Sequence, residues 1–283
     1  MKRIIVGQSG GPTAVINSSV AGVYKKAKEL GIEKIYGMHH GIEGFLDEDI
    51  IDLDEYLNSD DNIELLKRTP SAFLGSCRYK LPKIEDAKEV YEKIFGILEK
   101  YEIDALFYIG GNDSMDTIKM LSDYAKMNNR KELFVGIPKT IDNDLPITDH
   151  CPGYGSAAKY IATSIKEIIR DNASFGAKKP TVCIVEIMGR HAGWLTAAAS
   201  LSKSSDCEGV DAIYLPENTF DIKEFVSNIK DLSKKKSSIV IAVSEGITTK
   251  DGKFVCEIGD ERKVDAFGHK QLSGTASRLA SIV

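Results

Sequence analysis

Arg3-Ile4-Ile5-Val6-Gly7-Gln8-Ser9-Gly10-Gly11-Pro12-Thr13 reads as a short β-rich apolar run that breaks into a glycine turn. Downstream, Ile16, Val20, Val23, Ala27 and Leu30 are spaced four, three, four and three residues apart, which lays one apolar stripe along a helix. Gly31 then stops it. Strand, glycine turn and sheet-covering helix are the opening of a parallel α/β sheet.

The same rhythm recurs along the chain. Ile84, Ala87, Tyr91, Ile94 and Leu98 carry a second helical stripe, and the sequence then predicts a strand over 105–109, a helix over 115–126 and a strand over 133–137. Beyond Pro138 and the loop 142–155, which mark the expected domain crossing, the pattern restarts. Helices are expected at 156–170, 195–201 and 225–232, and strands at 181–186, 210–215 and 239–243. The chain stops at Ser281-Ile282-Val283, inside an expected helix that begins near Leu272, so it reads as incomplete.

Composition narrows the function classes. With 283 residues, 42% of them hydrophobic and 28% charged, the chain can bury a full core, and disorder as its main state is excluded. Lys+Arg 37 against Asp+Glu 42 gives none of the basic excess that duplex nucleic acid demands. No apolar run reaches the roughly 18 residues of a membrane span, and the start has no secretory apolar region. Cys77, Cys151, Cys183, Cys207 and Cys256 are scattered and never form a C-x-x-C pair, which argues against a disulfide framework or zinc knuckle. The cytoplasm is the expected compartment, with no nucleic-acid or membrane partner.

Four loops carry chemistry. Gly7 to Thr13 is either a tight βα turn or a phosphate loop, in which glycines let backbone N–H groups approach an anion at a helix start. It matches neither G-x-G-x-x-G nor G-x-x-x-x-G-K-[ST], which leaves a Rossmann dehydrogenase unsupported. Gly110-Gly111-Asn112-Asp113-Ser114 holds the same position after the second strong strand, where it is either a helix cap or a second turn facing the same crevice. Pro138-Lys139-Thr140-Ile141-Asp142-Asn143-Asp144 packs a cation, a hydroxyl and two carboxylates, the groups that phosphoryl transfer to a hydroxyl requires, or else an Asx-turn cluster. Met188-Gly189-Arg190-His191-Ala192-Gly193-Trp194 offers Arg190 as a bidentate clamp, with Trp194 expected in the core and His191 given no catalytic role. Arg78, in the loop 71–79, and Glu245, after the strand 239–243, are either site residues or ordinary surface charge.

Taken together, GQSGGP, FLGSCRYK, IGGNDSMDT, PKTIDND, VEIMGRHAGW and AVSEG stand in an order that resembles the phosphofructokinase family over nearly the whole chain. The resemblance implies two doubly wound α/β domains with the active site in the cleft between them. It assigns residues 1–138 to the phosphoryl donor, 139–250 to fructose 6-phosphate and 251–283 to a segment returning toward the first domain. By matching motif, Asp142 corresponds to the base that deprotonates the sugar 1-hydroxyl, with Thr140 beside the transferring phosphoryl group. Gly10, Gly11, Arg78, Gly111 and Asn112 correspond to donor contacts. Met188, Gly189, Arg190 and Glu245 correspond to sugar-phosphate contacts, as do Thr140 and Asp142. A homodimer or homotetramer is also implied.

The donor follows from two positions. Relatives that use ATP resemble GGDGS and PGTIDND, with glycine where this chain has Asp113 and Lys139. A carboxylate at Asp113 repels an α-phosphate, and an ammonium at Lys139 stabilises a pyrophosphate leaving group, so pyrophosphate is the expected donor. Transfer from pyrophosphate is energetically near balance, and the resemblance therefore implies a reversible reaction in glycolysis and gluconeogenesis. Magnesium is the expected cofactor. Asn112 stands where many relatives have a metal-binding aspartate and offers only a neutral oxygen, so the ion is expected to arrive with pyrophosphate, helped by Asp113 or Asp144 through water. An ATP-dependent phosphofructokinase and a non-catalytic sugar-phosphate-binding subunit are the competing readings.

Overall fold

The computed structural model describes residues 1–175, 179–258 and 274–283. These form two compact units, Met1–Thr140 and Ile141–Val283.

The first unit is built on β1 (Arg3–Gln8), α1 (Ile16–Glu29), β2 (Lys34–Met38), α2 (Gly41–Leu46), β3 (Ile50–Asp52), α3 (Leu53–Tyr56), α4 (Asp60–Arg68), α5 (Lys88–Lys100), β4 (Ala105–Gly110), α6 (Asn112–Met127) and β5 (Leu133–Pro138). Its sheet runs β3-β2-β1-β4-β5, parallel except for the β2–β3 pair. Alternate strand residues face opposite ways. Ile5, Leu106 and Tyr108 therefore pack with α2, α5 and α6, while Ile4, Val6, Ala105 and Ile109 pack with α1, α3 and α4. Helices cover both faces, as the alternation of elements predicts.

Between α1 and α5 the periodicity alone assigns nothing, yet the chain forms β2, α2, β3, α3 and α4 there. The run Lys34-Ile35-Tyr36-Gly37-Met38 is short and interrupted by glycine because a Cβ at Gly37 would lie 2.7 Å from Leu74 Cδ2. Helix α4 starts where the Ser59 side chain accepts from Asn62 N at 3.2 Å, and it ends in Lys67 and Arg68, which suit its negative terminus. The stripe begun at Ile84 becomes helical only at Lys88, although Ile84 still packs on the core.

The second unit contains α7 (Tyr154–Ala173), β6 (Thr181–Ile187), α8 (Trp194–Ala197) continued by a 3₁₀ turn over Ala198–Ser202, β7 (Ala212–Tyr214), β8 (Thr219–Phe220), α9 (Ile222–Ser233), β9 (Ser238–Ser244), β10 (Thr248–Thr249) and α10 (Thr275–Ala280). Its main sheet is parallel, in the order β6-β9-β7, and β8 pairs with β10 separately. Ile239, Ile241 and Val243 face α9 and α10, whereas Ala242 faces α7 and α8. This unit too is covered on both faces. Asp221 caps α9 by accepting from Lys223 N at 2.7 Å and Glu224 N at 3.1 Å. The expected helix start at Leu272 lies outside the described residues, and the helix seen there begins at Thr275, with Leu279 fully buried in the second unit's core.

Trp194 corrects an expectation. It is 53% exposed rather than in the core, because α8 turns its N-terminus outward and buries Leu195 and Thr196 instead. The aromatic core of this unit is the triad Tyr214, Phe220 and Phe225, with ring centroids 5.3–5.4 Å apart. Phe225→Ala should cost about 3–5 kcal/mol, read as a lower denaturant midpoint at unchanged slope.

Candidate active site

Strand order alone marks a ligand site in the first unit. From β1 the chain moves to β2 on one side, and β4 then pairs on the other, so the turns after β1 and β4 leave the same edge as neighbours. They touch: Ser9 Oγ lies 2.5 Å from Ser114 Oγ, and Ser9 N donates to Ile109 O at 2.9 Å. The approach requires glycine at 110, where a Cβ would fall 2.1 Å from Ser114 Oγ and 2.4 Å from Ser9 Oγ. Both glycine turns thus form one surface, and the open N-terminus of α6 rises from it at Asn112 and Asp113. Gly111 is the cap residue and no side chain caps the helix, so Asn112 and Asp113 stand in its first turn rather than serving as its cap.

Lys139 joins this surface. Its backbone N donates to Gly110 O at 2.9 Å, which extends the β4–β5 pairing, and its side chain is 5% exposed with Nζ donating to Gly11 O at 2.6 Å. A buried ammonium is thereby set against the first glycine turn. The loop 71–79 closes on the same turn: Gly10 N donates to Cys77 O at 3.1 Å and Ser76 Oγ donates to Gly10 O at 2.5 Å, which places the exposed Arg78 next to it in sequence. Beneath the turns, burial pushes the Tyr108 phenol far above its ordinary value, so it stays protonated; Cys77 lies beside it. Gly10, Gly11, Arg78, Gly111, Asn112, Asp113 and Lys139 therefore gather around one strand edge.

The second unit assembles its own set. Strands β6 and β9 are parallel neighbours, so the loop at Met188, Gly189 and Arg190 lies against Glu245. Glu245 Oε1 accepts from Gly189 N at 3.1 Å, Glu245 N donates to Ile187 O at 2.9 Å, and Ser244 Oγ donates to Gly189 O at 2.5 Å. Glu245 is thus tied into the loop. Gly189 adopts φ +143°, a conformation that side chains resist, and its Cβ would meet Ala192 O at 2.5 Å. Asp142 is half-buried between Ile141, packed on the α7 and α8 side of the core, and the buried Asn143, which takes φ 57°. The Asn143 amide accepts from Cys151 N at 2.8 Å and donates to Asp149 O at 3.3 Å. Its neighbours Asp142 and Asp144 are presented by that anchored turn.

A cavity of about 770 Å³ opens beside it, lined among others by Asn143, Asp144, His191, Trp194 and Glu217. Among the described residues, no group of three or more His, Cys, Asp or Glu converges as a metal cage. Periodicity did not point to Gln8 and Asn17, 0% and 1% exposed, which bond to each other at 3.0 Å beneath the glycine turn. Their one signal is polarity at positions that face the core.

The first unit thus presents paired glycine turns and a buried lysine at one strand edge, and the second presents an anchored carboxylate-bearing turn, each on a parallel α/β sheet. The chain belongs to the phosphofructokinase family, whose model, described as phosphofructokinase, matches residues 3–283. It is 42% identical over 278 residues to a pyrophosphate–fructose 6-phosphate 1-phosphotransferase of Halomonas elongata, covering 98% of this chain and 65% of the relative. A Rhodospirillum rubrum protein of the same name is 42% identical over 286 residues, covering 99% of this chain and 68% of the relative. A crystal structure of a pyrophosphate-dependent phosphofructokinase from Nitrosospira multiformis superimposes with a TM-score of 0.84 at 39% identity, covering 100% of this chain and 65% of that one. The chain therefore spans about two thirds of the length of the relatives it matches.

Gly246 tests how firmly the second set is held. A Cβ there would lie 1.9 Å from Arg190 O. Gly246→Ala should therefore displace the 188–190 loop and destabilise the fold by about 1–3 kcal/mol, with faster hydrogen exchange at Gly189 N as the local readout.

Proposed function

We propose that this chain carries the catalytic machinery of a pyrophosphate-dependent phosphofructokinase. It transfers a phosphoryl group from pyrophosphate to the 1-hydroxyl of fructose 6-phosphate, giving fructose 1,6-bisphosphate and phosphate, and the reaction runs in both directions of glycolysis and gluconeogenesis. The observation that carries this reading is the buried Lys139 ammonium on the Gly11 carbonyl, with Asp113 in the first turn of α6 beside the second glycine turn. The names of the Halomonas and Nitrosospira relatives support the same donor.

Residues 1–138 take the donor, with Gly10, Gly11, Arg78, Gly111 and Asn112 as its contacts, and residues 139–250 take fructose 6-phosphate through Thr140, Asp142, Met188, Gly189, Arg190 and Glu245. Asp142 accepts the proton of the sugar hydroxyl as that oxygen attacks the terminal phosphorus, and the bridging P–O bond breaks to release phosphate. Lys139 offsets the charge that develops on the leaving phosphate, and Thr140 orients the transferring group. Asp113 excludes nucleotides by repelling an α-phosphate. Asn112, Asp113 or Asp144 would reach the water shell of a magnesium ion carried in with pyrophosphate, which when bound would supply charge neutralisation at the phosphoryl oxygens. The protein acts in the cytoplasm as a homodimer or homotetramer, without nucleic-acid or membrane partners; no described helix is long and apolar enough to cross a membrane.

Side-by-side turnover of fructose 6-phosphate with magnesium and either pyrophosphate or ATP tests the donor. Activity with pyrophosphate alone is expected, and preference for ATP would sink the roles given to Asp113 and Lys139. Asp142→Ser should lower kcat by roughly 10²- to 10⁴-fold with the sugar KM little changed; an active variant removes Asp142 as the base. Lys139→Gly should cost on the order of 3 kcal/mol in kcat/KM for pyrophosphate, and a rate equal to the parent's refutes that role.

A further inference from the structure

We infer that Gln8 and Asn17 are positioning residues for the donor site: their paired amides hold the loop bearing Arg78 against the first glycine turn. The inference rests on the donor reading above only for its kinetic consequence. Gln8 ends β1 and Asn17 lies in the first turn of α1, so both are carried by regular elements of the first unit.

Between them the two amides make four hydrogen bonds. Gln8 Nε2 donates to Asn17 Oδ1 at 3.0 Å, and Gln8 Oε1 accepts from Leu74 N at 2.8 Å. Asn17 Oδ1 also accepts from Phe73 N at 2.8 Å, while Asn17 Nδ2 donates to Thr69 O at 2.9 Å. Three backbone groups of one irregular segment are thus bound to side chains that water does not reach. Buried amides are retained in a core at a cost, and each bond here is directional, so the pair specifies one path for residues 69–74.

That path continues to the site. Leu74, which is fully buried, leads into Gly75 at φ +70°, and Ser76 and Cys77 then bond to Gly10 from both sides of the turn. Arg78 is the next residue. It lies on a segment that has no helix or strand between Arg68 and Lys88, so no regular element sets its place. The amide pair supplies that order from below. A carboxylate cannot replace either amide fully, since each must donate as well as accept.

Two variants test this. Gln8→Met keeps the volume and removes both bonds. Asn17→Ala removes the pair's other three contacts and leaves the Gln8–Leu74 bond, so it decides the matter if Gln8→Met does not fold. Both should raise the KM for pyrophosphate roughly tenfold while the fructose 6-phosphate KM stays within about twofold. Limited trypsin digestion, read by mass spectrometry, should show cleavage after Arg78 accelerated by a similar factor, and Gln8→Glu, which keeps the acceptor for Leu74 N, should recover part of both effects. Parental cleavage rates in folded variants, or equal shifts in both KM values, would overturn the inference. If the parent fails to use pyrophosphate while cleavage still accelerates in the variants, the donor reading falls and the positioning role stands.

Discussion

The placement of β1 between β2 and β4 is the constraint on which the first unit depends. The parallel crossovers β1–α1–β2 and β4–α6–β5 run in opposite directions across the sheet and must pass over opposite faces, so α1 covers one face and α6 the other. A consequence at the strand ends follows without any ligand. Two chains leave the same edge side by side, and their next residues must turn within the spacing of neighbouring strands, which is about 5 Å. Only residues with little or no side chain fit, and Gly110, Ser9 and Ser114 meet that demand. The N-terminus of α6 stands at the same edge, where its dipole suits an anion.

The second unit reaches a related arrangement by a different route. Strands β6 and β9 are adjacent, but the loop after β6 is long and lies across the end of β9 instead of entering a helix at once. Its contact with Gly246 is backbone on backbone, and hydrogen bonds from Ser244 and to Glu245 fix Gly189 on both of its polar groups. Glu186, next door on β6, accepts from Gly274 N and Ala276 N and so joins the start of α10 to the same strand end. Loop geometry of this kind is set by hydrogen bonds rather than by apolar packing, which explains why removing space matters more here than removing methyl groups.

How much of this the sequence disclosed follows from the physics of each element. The strands β1, β4 and β9 are buried on both faces and read as continuous apolar runs, the half-buried β6 reads the same way, and α1 and α7 carry full stripes, so their identity was plain. β2, α2, β3, α3 and α4 were not, because each is short and Lys34, Gly37 and the acidic start of α4 interrupt the periodic signal. Trp194 misled because its size suggests burial, whereas a four-residue helix has room to bury only one side. The site loops were legible as chemistry from Gly10, Gly111, Lys139, Asp142 and Arg190. Their supports were not, since Gln8 and Asn17 act through contacts to residues more than fifty positions away.

The constraints at this strand edge converge on Lys139 Nζ. An ammonium that is 5% exposed has given up most of its hydration, a loss that proteins tolerate only where hydrogen bonds and opposing charge compensate. The Gly11 carbonyl contributes a dipole at 2.6 Å, and the backbone of Lys139 is itself fixed to Gly110. The charge is therefore held still and close to the glycine turn before any ligand arrives. Such preorganisation is what makes an electrostatic group effective in catalysis, because no solvent or side chain has to move as charge develops. A lysine on a flexible surface loop would carry the same charge and lose most of its value to water.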